Sequence, residues 1–135
     1  MTELTSALAK KAIEAGLAKA EALGSPSSIA VVDGGRNLVA FARMDGALLA
    51  SIEISQAKAY TARSLNMKTG DVTQYVQPGG PFYGMETSHR QALVVFGGGQ
   101  PVEVGGQVIG AIGVAGGTVE NDEAVAAAAA AAAQG

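Results

Sequence analysis

The order of apolar and polar positions divides the first half of the chain into a helix, a hairpin and a second helix. Apolar residues recur at steps of three and four over residues 4–23, with lysine and glutamate between them, which predicts an amphipathic helix. Two apolar runs at 28–32 and 38–43 flank a turn with two adjacent glycines, and this pattern predicts an antiparallel hairpin. Over residues 48–66 the apolar period is again that of a helix.

The second half of the chain is rich in glycine, and its short apolar runs predict strands. Runs at 92–96, 101–104 and 107–114 are separated by glycine turns, and the alanine-rich segment 118–134 predicts a final helix because alanine has the highest helix propensity. The resulting order, α-β-β-α-β-β-β-α, predicts an α+β fold: a five-stranded antiparallel sheet with flanking helices, of the profilin-like or PAS-like type. We expect residues 1–135 to form a single domain.

Composition narrows the classes of function. A net charge of −3 and the lack of any basic run argue against nucleic-acid binding. The absence of cysteine excludes disulfides, thiolate metal sites and iron–sulfur clusters. No apolar stretch approaches the ~20 residues of a membrane-spanning helix, and the N-terminus lacks the pattern of a signal peptide. We therefore expect a cytoplasmic protein without a membrane partner, although a mature exported form would look the same.

A long loop predicted at 77–89 carries the residues best suited to a cofactor. Long ordered loops in a small domain are more often functional than mere connections. This loop contains Phe82, Tyr83 and Met85 as well as His89, the one histidine of the sequence.

Five stretches of the sequence resemble, in the same order, blocks of the GlcG/HbpS family of haem-binding or haem-degrading proteins. They are V-D-G-G-R-N-L-V-A-F-A-R-M-D-G-A, K-A-Y-T-A, G-G-G-Q-P-V, G-G-Q-V-I-G-A-I-G-V-A-G-G and N-D-E. The same domain forms the C-terminal half of PduO-type proteins, and the resemblance covers about residues 4–125. It implies the α+β fold predicted above, haem as cofactor, haem degradation or haem and iron sequestration as the activity, and a homo-oligomer, either a dimer or a higher form such as an octamer.

His89 is the residue that this resemblance makes the candidate iron ligand. One imidazole nitrogen would bind the haem iron, and Tyr83 or Met85 would supply a sixth ligand or, with Phe82, a wall of the pocket. The alternative is a loop histidine that is hydrogen-bonded to the backbone.

Basic side chains are the candidates for holding carboxylates. Lys58 lies on the predicted second helix, where it would pair with a haem propionate or a substrate carboxylate, or act as a base. Alternatively it forms a salt bridge with one of three acidic residues, Asp33, Asp45 or Glu53. Guanidinium groups match carboxylates equally well, which makes further candidates of Arg36, Arg43 and Arg63.

Acidic residues cluster where the last predicted helix begins. Glu120, Asp122 and Glu123 complement the positive end of that helix, or else hold iron or another hard cation together with His89. Asp33 is interpreted as a turn residue that accepts hydrogen bonds from its own backbone.

Two other classes of function remain open. One is a small-molecule enzyme, a lyase, isomerase or hydrolase, that acts on a carboxylated metabolite in a catabolic pathway. Its candidate residues would be Lys58, Arg36 or Arg43, Glu120 and His89. The other is an oligomeric accessory protein without catalysis. No Ser-His-Asp, Cys-His or H-E-x-x-H arrangement is recognisable, and whether the chain is an enzyme stays open.

Overall fold

A four-stranded antiparallel sheet with helices on both faces forms the centre of the computed structural model, which describes residues 2–135. The strand order is β2-β1-β4-β3. In chain order the elements are α1 (Ser6–Ala22), β1 (Ser28–Asp33), β2 (Leu38–Arg43), α2 (Ser51–Leu65), α3 (Thr69–Val72), β3 (Gly99–Val104), β4 (Gln107–Ala115) and α4 (Val119–Ala132), with 3-10 turns at Thr73–Tyr75 and Met85–Thr87. The predicted α+β class and the hairpin are confirmed.

The prediction of a fifth strand at 92–96 is wrong. Threonine hydroxyls take up the polar backbone groups of this segment, which joins no β-ladder. The Val94 N–H donates to Oγ1 of Thr61 at 3.0 Å. The carbonyl of Phe96 accepts from Oγ1 of Thr69 at 2.7 Å. Because α2 and α3 supply these partners, the backbone hydrogen bonds of the segment are made although it has no regular secondary structure and runs along the helices.

The two faces of the sheet bury different side chains. Ile29, Val31 and Ile112 face α1 and α4, which cover one side with alanines and Val125. On the other side, Ala30 and the small residues beside it pack against the alanines of α2. This alternation along β1 is the period of two that a sheet buried on both faces requires.

Gly113 lets α2 lie directly on the sheet. A Cβ atom at this position would collide with the carbonyl oxygen of Ser55 and would lie 2.5 Å from the backbone nitrogen of Ala59. The glycines of β4 therefore mark a close approach of another backbone, as their presence within a strand predicts.

Helix α2 is shorter at its start than the predicted 48–66. It begins at Ser51, and Leu48 and Leu49 lie in a preceding turn with exposed side chains. The helix ends at Leu65, and Asn66 after it adopts a left-handed conformation with φ 54°. Asparagine tolerates this conformation better than most residues, which accounts for its place as the C-terminal cap.

Candidate functional site

A shallow cavity of about 230 Å³ lies beside the β1–β2 turn and brings together basic side chains from three parts of the chain. Arg36 comes from the turn, Arg63 and Ser64 from the last turn of α2, and His89 from the end of the long loop, with Gly34 at the rim. The cavity therefore depends on the tertiary fold, because its residues are up to about fifty positions apart in sequence.

The buried ring of Tyr60 contacts two side chains of this site. The ring of His89 meets the Tyr60 ring edge to face, with 6.0 Å between the ring centroids. The guanidinium carbon of Arg36 lies 4.6 Å from the centroid of the same ring, a distance typical of a cation–π contact. Tyr60 thus fixes the positions of both the imidazole and one guanidinium group.

Hydrogen bonds hold both guanidinium groups in place. Arg36 donates from Nη1 to Oγ of Ser64 at 3.2 Å. Arg63 donates from Nε to the carbonyl of Gly34 at 2.8 Å and from Nη1 to Oδ1 of Asn66 at 2.7 Å. Neither arginine forms a salt bridge with any residue of the described chain, in which the one ion pair lies elsewhere.

The turn that carries Arg36 is organised by Asp33. One carboxylate oxygen of Asp33 accepts from the N–H groups of Gly35 and Asn37, both at 2.9 Å. The interpretation of Asp33 as a turn residue is confirmed. Burial raises the pKa of this carboxyl. The hydrogen bonds from Asn37 and Gly35 together lower the pKa by more than burial raises it, so the pKa lies below its usual value.

His89 presents one free ring nitrogen. Its Nδ1 lies 2.9 Å from Oγ of Ser88, while Nε2 makes no hydrogen bond within residues 2–135. If Nδ1 carries the proton and donates to Ser88, the lone pair of Nε2 is available to a metal ion. The hydrogen bond of His89 is therefore to a side chain and not to the backbone.

The other residues of the long loop are arranged differently from His89. Phe82 and Tyr83 are exposed, and Met85 is half-buried in a 3-10 turn. Phe82 packs against the ring of Tyr75, with 6.3 Å between the centroids. The aromatic contact of His89 is thus with Tyr60 of α2.

Arg43 lies at the opposite end of the hairpin from this cavity. It pairs with Ser28 at the start of β1, whereas the turn follows the end of that strand. Six strand residues separate the two ends by roughly 17–20 Å. The Arg43 side chain is exposed, and its Nη2 donates to the carbonyl of Ala47 at 2.9 Å.

Lys58 is buried and paired. Its Nζ lies 3.2 Å from Oδ2 of Asp122 and donates to the carbonyl of Val114 at 2.8 Å. Burial lowers the pKa of Lys58, while Asp122 opposes that shift; burial likewise raises the pKa of Asp122 against the effect of Lys58. The alternative of a salt bridge matches the structure, but the partner is none of the three acidic residues named for it.

The acidic start of α4 forms no cation site with His89. Asp122 is engaged with Lys58, and Thr118 caps the helix by accepting from the N–H of Asn121. Within residues 2–135 there is no group of three His, Asp or Glu side chains that could hold a metal ion.

Sequence reasoning missed Tyr60 and Ser64 as parts of the site. With Arg63 they are three and four positions apart, so they share one face of α2 near its C-terminal end. That spacing is a signal that could have found them, since a basic, an aromatic and a hydroxyl residue there are unusual on an alanine-rich helix.

The described chain has no helix long and apolar enough to cross a membrane.

Comparison with known proteins gives one consistent family. The model of the family described as "Haem degrading protein HbpS-like" matches residues 4–131. An uncharacterised 15.0 kDa protein of Citrobacter freundii, from the dhaT-dhaS intergenic region, is 47% identical over 123 residues, which are 91% of this chain and 87% of that protein.

Two solved structures share the fold over almost the whole chain. A complex of PduOC with haem has a TM-score of 0.92 and 34% identity, covering 97% of this chain and 95% of that one. HbpS has a TM-score of 0.85 and 35% identity, covering 97% and 90%. The chain belongs to the HbpS-like family.

Proposed function

Starting from membership of the HbpS-like family, we propose that this protein binds haem and that His89 is the iron ligand. The observation that carries the proposal is the imidazole of His89, which is held by Tyr60 and Ser88 at an open cavity and has a free Nε2. The similar PduOC has been solved as a haem complex, which supports the choice of ligand.

The residues around His89 fit a haem group in their chemistry. A neutral imidazole is a common axial ligand of haem iron, and the exposed rings of Phe82 and Tyr83 in the same loop offer apolar surface to a porphyrin. The cavity of about 230 Å³ is smaller than the roughly 300–1,000 Å³ of sites that enclose a whole ligand. We therefore infer an open site in which the loop, with Met85 and Tyr83, or a second copy of the chain covers the rest of the porphyrin.

Each residue of the site has a distinct task in this proposal. Haem, when bound, supplies an iron centre for ligand binding or redox chemistry. Ser88 would accept a hydrogen bond from the protonated Nδ1, which leaves the lone pair of His89 on Nε2, and Tyr60 holds the plane of the imidazole. Lys58 and Arg43 take no part, because Lys58 is buried against Asp122 and Arg43 lies at the far end of the hairpin.

We also propose a homo-oligomer. Leu48 and Leu49 stand side by side before α2 with exposed fractions of 65% and 73%. Adjacent large apolar side chains that are exposed commonly mark a protein interface. Sedimentation velocity of the double variant Leu48→Asp/Leu49→Asp should show a smaller assembly than the wild type, whereas Leu23→Asp, just after α1, should not. An unchanged assembly in the double variant would contradict this interface.

Degradation and sequestration differ in the fate of bound haem. A sequestering protein leaves the porphyrin intact, so Soret absorption persists when hydrogen peroxide or a reductant with oxygen is added, although its position can shift with the oxidation state of the iron. A degrading protein loses the band and releases iron, which a ferrous chelator would detect. The proposal of haem binding holds under either outcome.

An absorption titration with haem tests the proposed function. The wild type should give a saturable Soret band that is shifted from that of free haem. His89→Ala should lose this shift, and added imidazole should restore it, because the small molecule replaces the missing ligand. Thr87→Ala, which changes an exposed residue of the same loop, should titrate like the wild type. A titration in which wild type and His89→Ala behave alike would overturn the assignment of His89.

A further inference from the structure

We propose that the space between Arg36 and Arg63 is a binding site for a carboxylate group. Both guanidinium groups line the cavity of about 230 Å³ that His89 borders. A salt bridge would be the usual way to neutralise two adjacent arginines, yet no described residue forms one with either of them. Two positive charges in fixed positions thus face a small space, and no acidic side chain of the described residues neutralises them.

The two guanidinium groups are held ready for a ligand. Stacking on Tyr60 and one hydrogen bond to Ser64 position Arg36, while the Gly34 carbonyl and Asn66 position Arg63. These contacts use a minority of the N–H groups, since each guanidinium has five. The remaining N–H groups can bind an anion with little loss of side-chain freedom, because the side chains are already ordered.

The backbone of Arg36 gives independent support. Its φ is 67°, in the left-handed region that glycine adopts without strain. Glycine at this place in the turn would remove the strain, so the arginine side chain is present at a cost to the fold. Strain of this kind is commonly found where a side chain serves a ligand site.

The donor set favours a carboxylate over a phosphate. Phosphate sites usually present backbone N–H groups from a glycine-rich turn or a helix N-terminus. Here the N–H groups of Gly35 and Asn37 are already taken by the carboxylate of Asp33. What remains are planar guanidinium forks, which bind the two oxygens of a carboxylate without help from backbone N–H groups.

A neighbouring larger cavity is less suited to an anion. It measures about 600 Å³ and shares Gly34 and Arg63 with the first, but its other ionisable groups are Glu3 and Asp33. Two carboxylates there would repel a further negative charge. The space beside His89 is thus the one of these two cavities in which positive charge predominates.

The carboxylate can come from two sources that share this chemistry. One is a free small carboxylic acid that fits within the cavity. The other is a propionate side chain of haem, and in that case the inference rests on the proposed function and extends it, because the arginines would fix the edge of the porphyrin whose iron His89 binds.

The experiment compares two arginine variants with a matched control. Arg36→Gly removes one guanidinium and suits the positive φ, and Arg63→Met removes the other. Arg43→Met removes the same charge at the far end of the hairpin. Each protein is titrated with succinate by calorimetry, and with haem and haem dimethyl ester by absorption. Circular dichroism melting curves establish that the variants fold.

Binding of succinate that is at least about tenfold weaker in Arg36→Gly and Arg63→Met, but not in Arg43→Met, supports a free carboxylate as the ligand. Haem that binds about tenfold more tightly than its ester in the wild type, with no such preference in the two variants, supports a propionate. If the wild type does not bind succinate and binds haem and its ester equally well, the inference is overturned. It is also overturned if both arginine variants bind succinate as the wild type does, or retain the wild-type preference for haem over its ester. Haem binding through His89 with neither succinate binding nor ester discrimination would overturn the inference alone; succinate binding without haem binding would overturn the proposed function alone.

Discussion

Lys58 and Asp122 form a buried ion pair that joins α2 to the start of α4. Their side chains are 1% and 4% exposed, and Nζ of Lys58 lies 3.2 Å from Oδ2 of Asp122. The ammonium group also donates to the carbonyl of Val114 and lies 4.9 Å from the centroid of the Phe96 ring. Oδ1 of Asp122 accepts from the N–H of Gly117 at 3.0 Å. Both charges are thus fully engaged inside the protein, which gives this lysine a structural role.

Replacing one member of this pair should be costly. In Lys58→Met we expect the free energy of unfolding to fall by about 3–5 kcal/mol at neutral pH, because Asp122 is left buried without its partner. The loss should be smaller at acid pH. Burial raises the pKa of Asp122 in the folded state, so the stability linked to its protonated form is present at low pH and is lost as pH rises through that raised pKa. Urea unfolding at several pH values measures this.

The double variant Lys58→Met/Asp122→Asn serves as the control for that prediction. It removes both charges, and the asparagine keeps an oxygen for the N–H of Gly117. We expect it to recover a substantial part of the stability lost in Lys58→Met. A double variant no more stable than the single variant would contradict the account of the pair.

Gly113→Ala should destabilise the protein far more than Gly16→Ala. The new Cβ at 113 would meet the backbone of α2 at Ser55 and Ala59, which cannot move without separating helix and sheet. At 16 the nearest atom, at 2.8 Å, is the terminal methyl of Ile29, which can turn aside. We expect a loss of about 3 kcal/mol or more at 113 and about 1 kcal/mol at 16. Thermal melts of both variants provide the comparison, and equal losses would argue against close contact at Gly113.

Thr61→Val should loosen the segment 92–96 without unfolding the protein. The threonine hydroxyl accepts from the N–H of Val94 and donates to the carbonyl of Ala57. Valine has almost the same shape, and its loss of the acceptor leaves a partly buried N–H unsatisfied, at a cost of about 1–3 kcal/mol. Hydrogen exchange should therefore quicken at Val94, while the amide of Ile112 in the central strand keeps its protection. An unchanged exchange rate at Val94 would show that another group holds the segment.

Acid should weaken the β1–β2 turn through Asp33. The folded-state pKa of this carboxyl is below its usual value, so the ionised form adds stability that is complete above about pH 4 and is lost as pH falls through the lowered pKa. Asp33→Asn should flatten this dependence, because asparagine does not titrate. Melting temperatures measured between pH 6 and pH 3 would show it, with Asp45→Asn, an exposed residue of a different turn, as control. Parallel curves for wild type and Asp33→Asn would contradict the assignment.

The sequence predicted the fold wherever the signal was local. The hairpin around Asp33 and the helices follow from periodicity and turn residues within one segment. The fifth strand failed because the run 92–96 has strand composition, while its actual partners are hydroxyls of Thr61, Thr69 and Thr73 on helices more than twenty positions away. No local pattern distinguishes such an irregular segment from a strand.

The candidate site was predicted only in part, for the same reason. His89 and the arginines were recognised by residue type, but their grouping depends on how the turn, α2 and the loop meet at Tyr60. The pairing of Lys58 with Asp122 spans 64 positions and needs the complete sheet between the two helices. Long-range contacts of this kind arise from tertiary packing and leave no periodic signal in the sequence.

The central claim is that His89 binds haem iron, and isotope labelling tests it most directly. Because the sequence has one histidine, protein grown with ¹⁵N-histidine carries the label at His89 alone. Pulsed electron paramagnetic resonance of the ferric haem complex should show coupling between the iron and a ¹⁵N nucleus, since Nε2 would be a direct ligand. A haem-saturated sample without ¹⁵N coupling would contradict the claim and would place the iron on another residue.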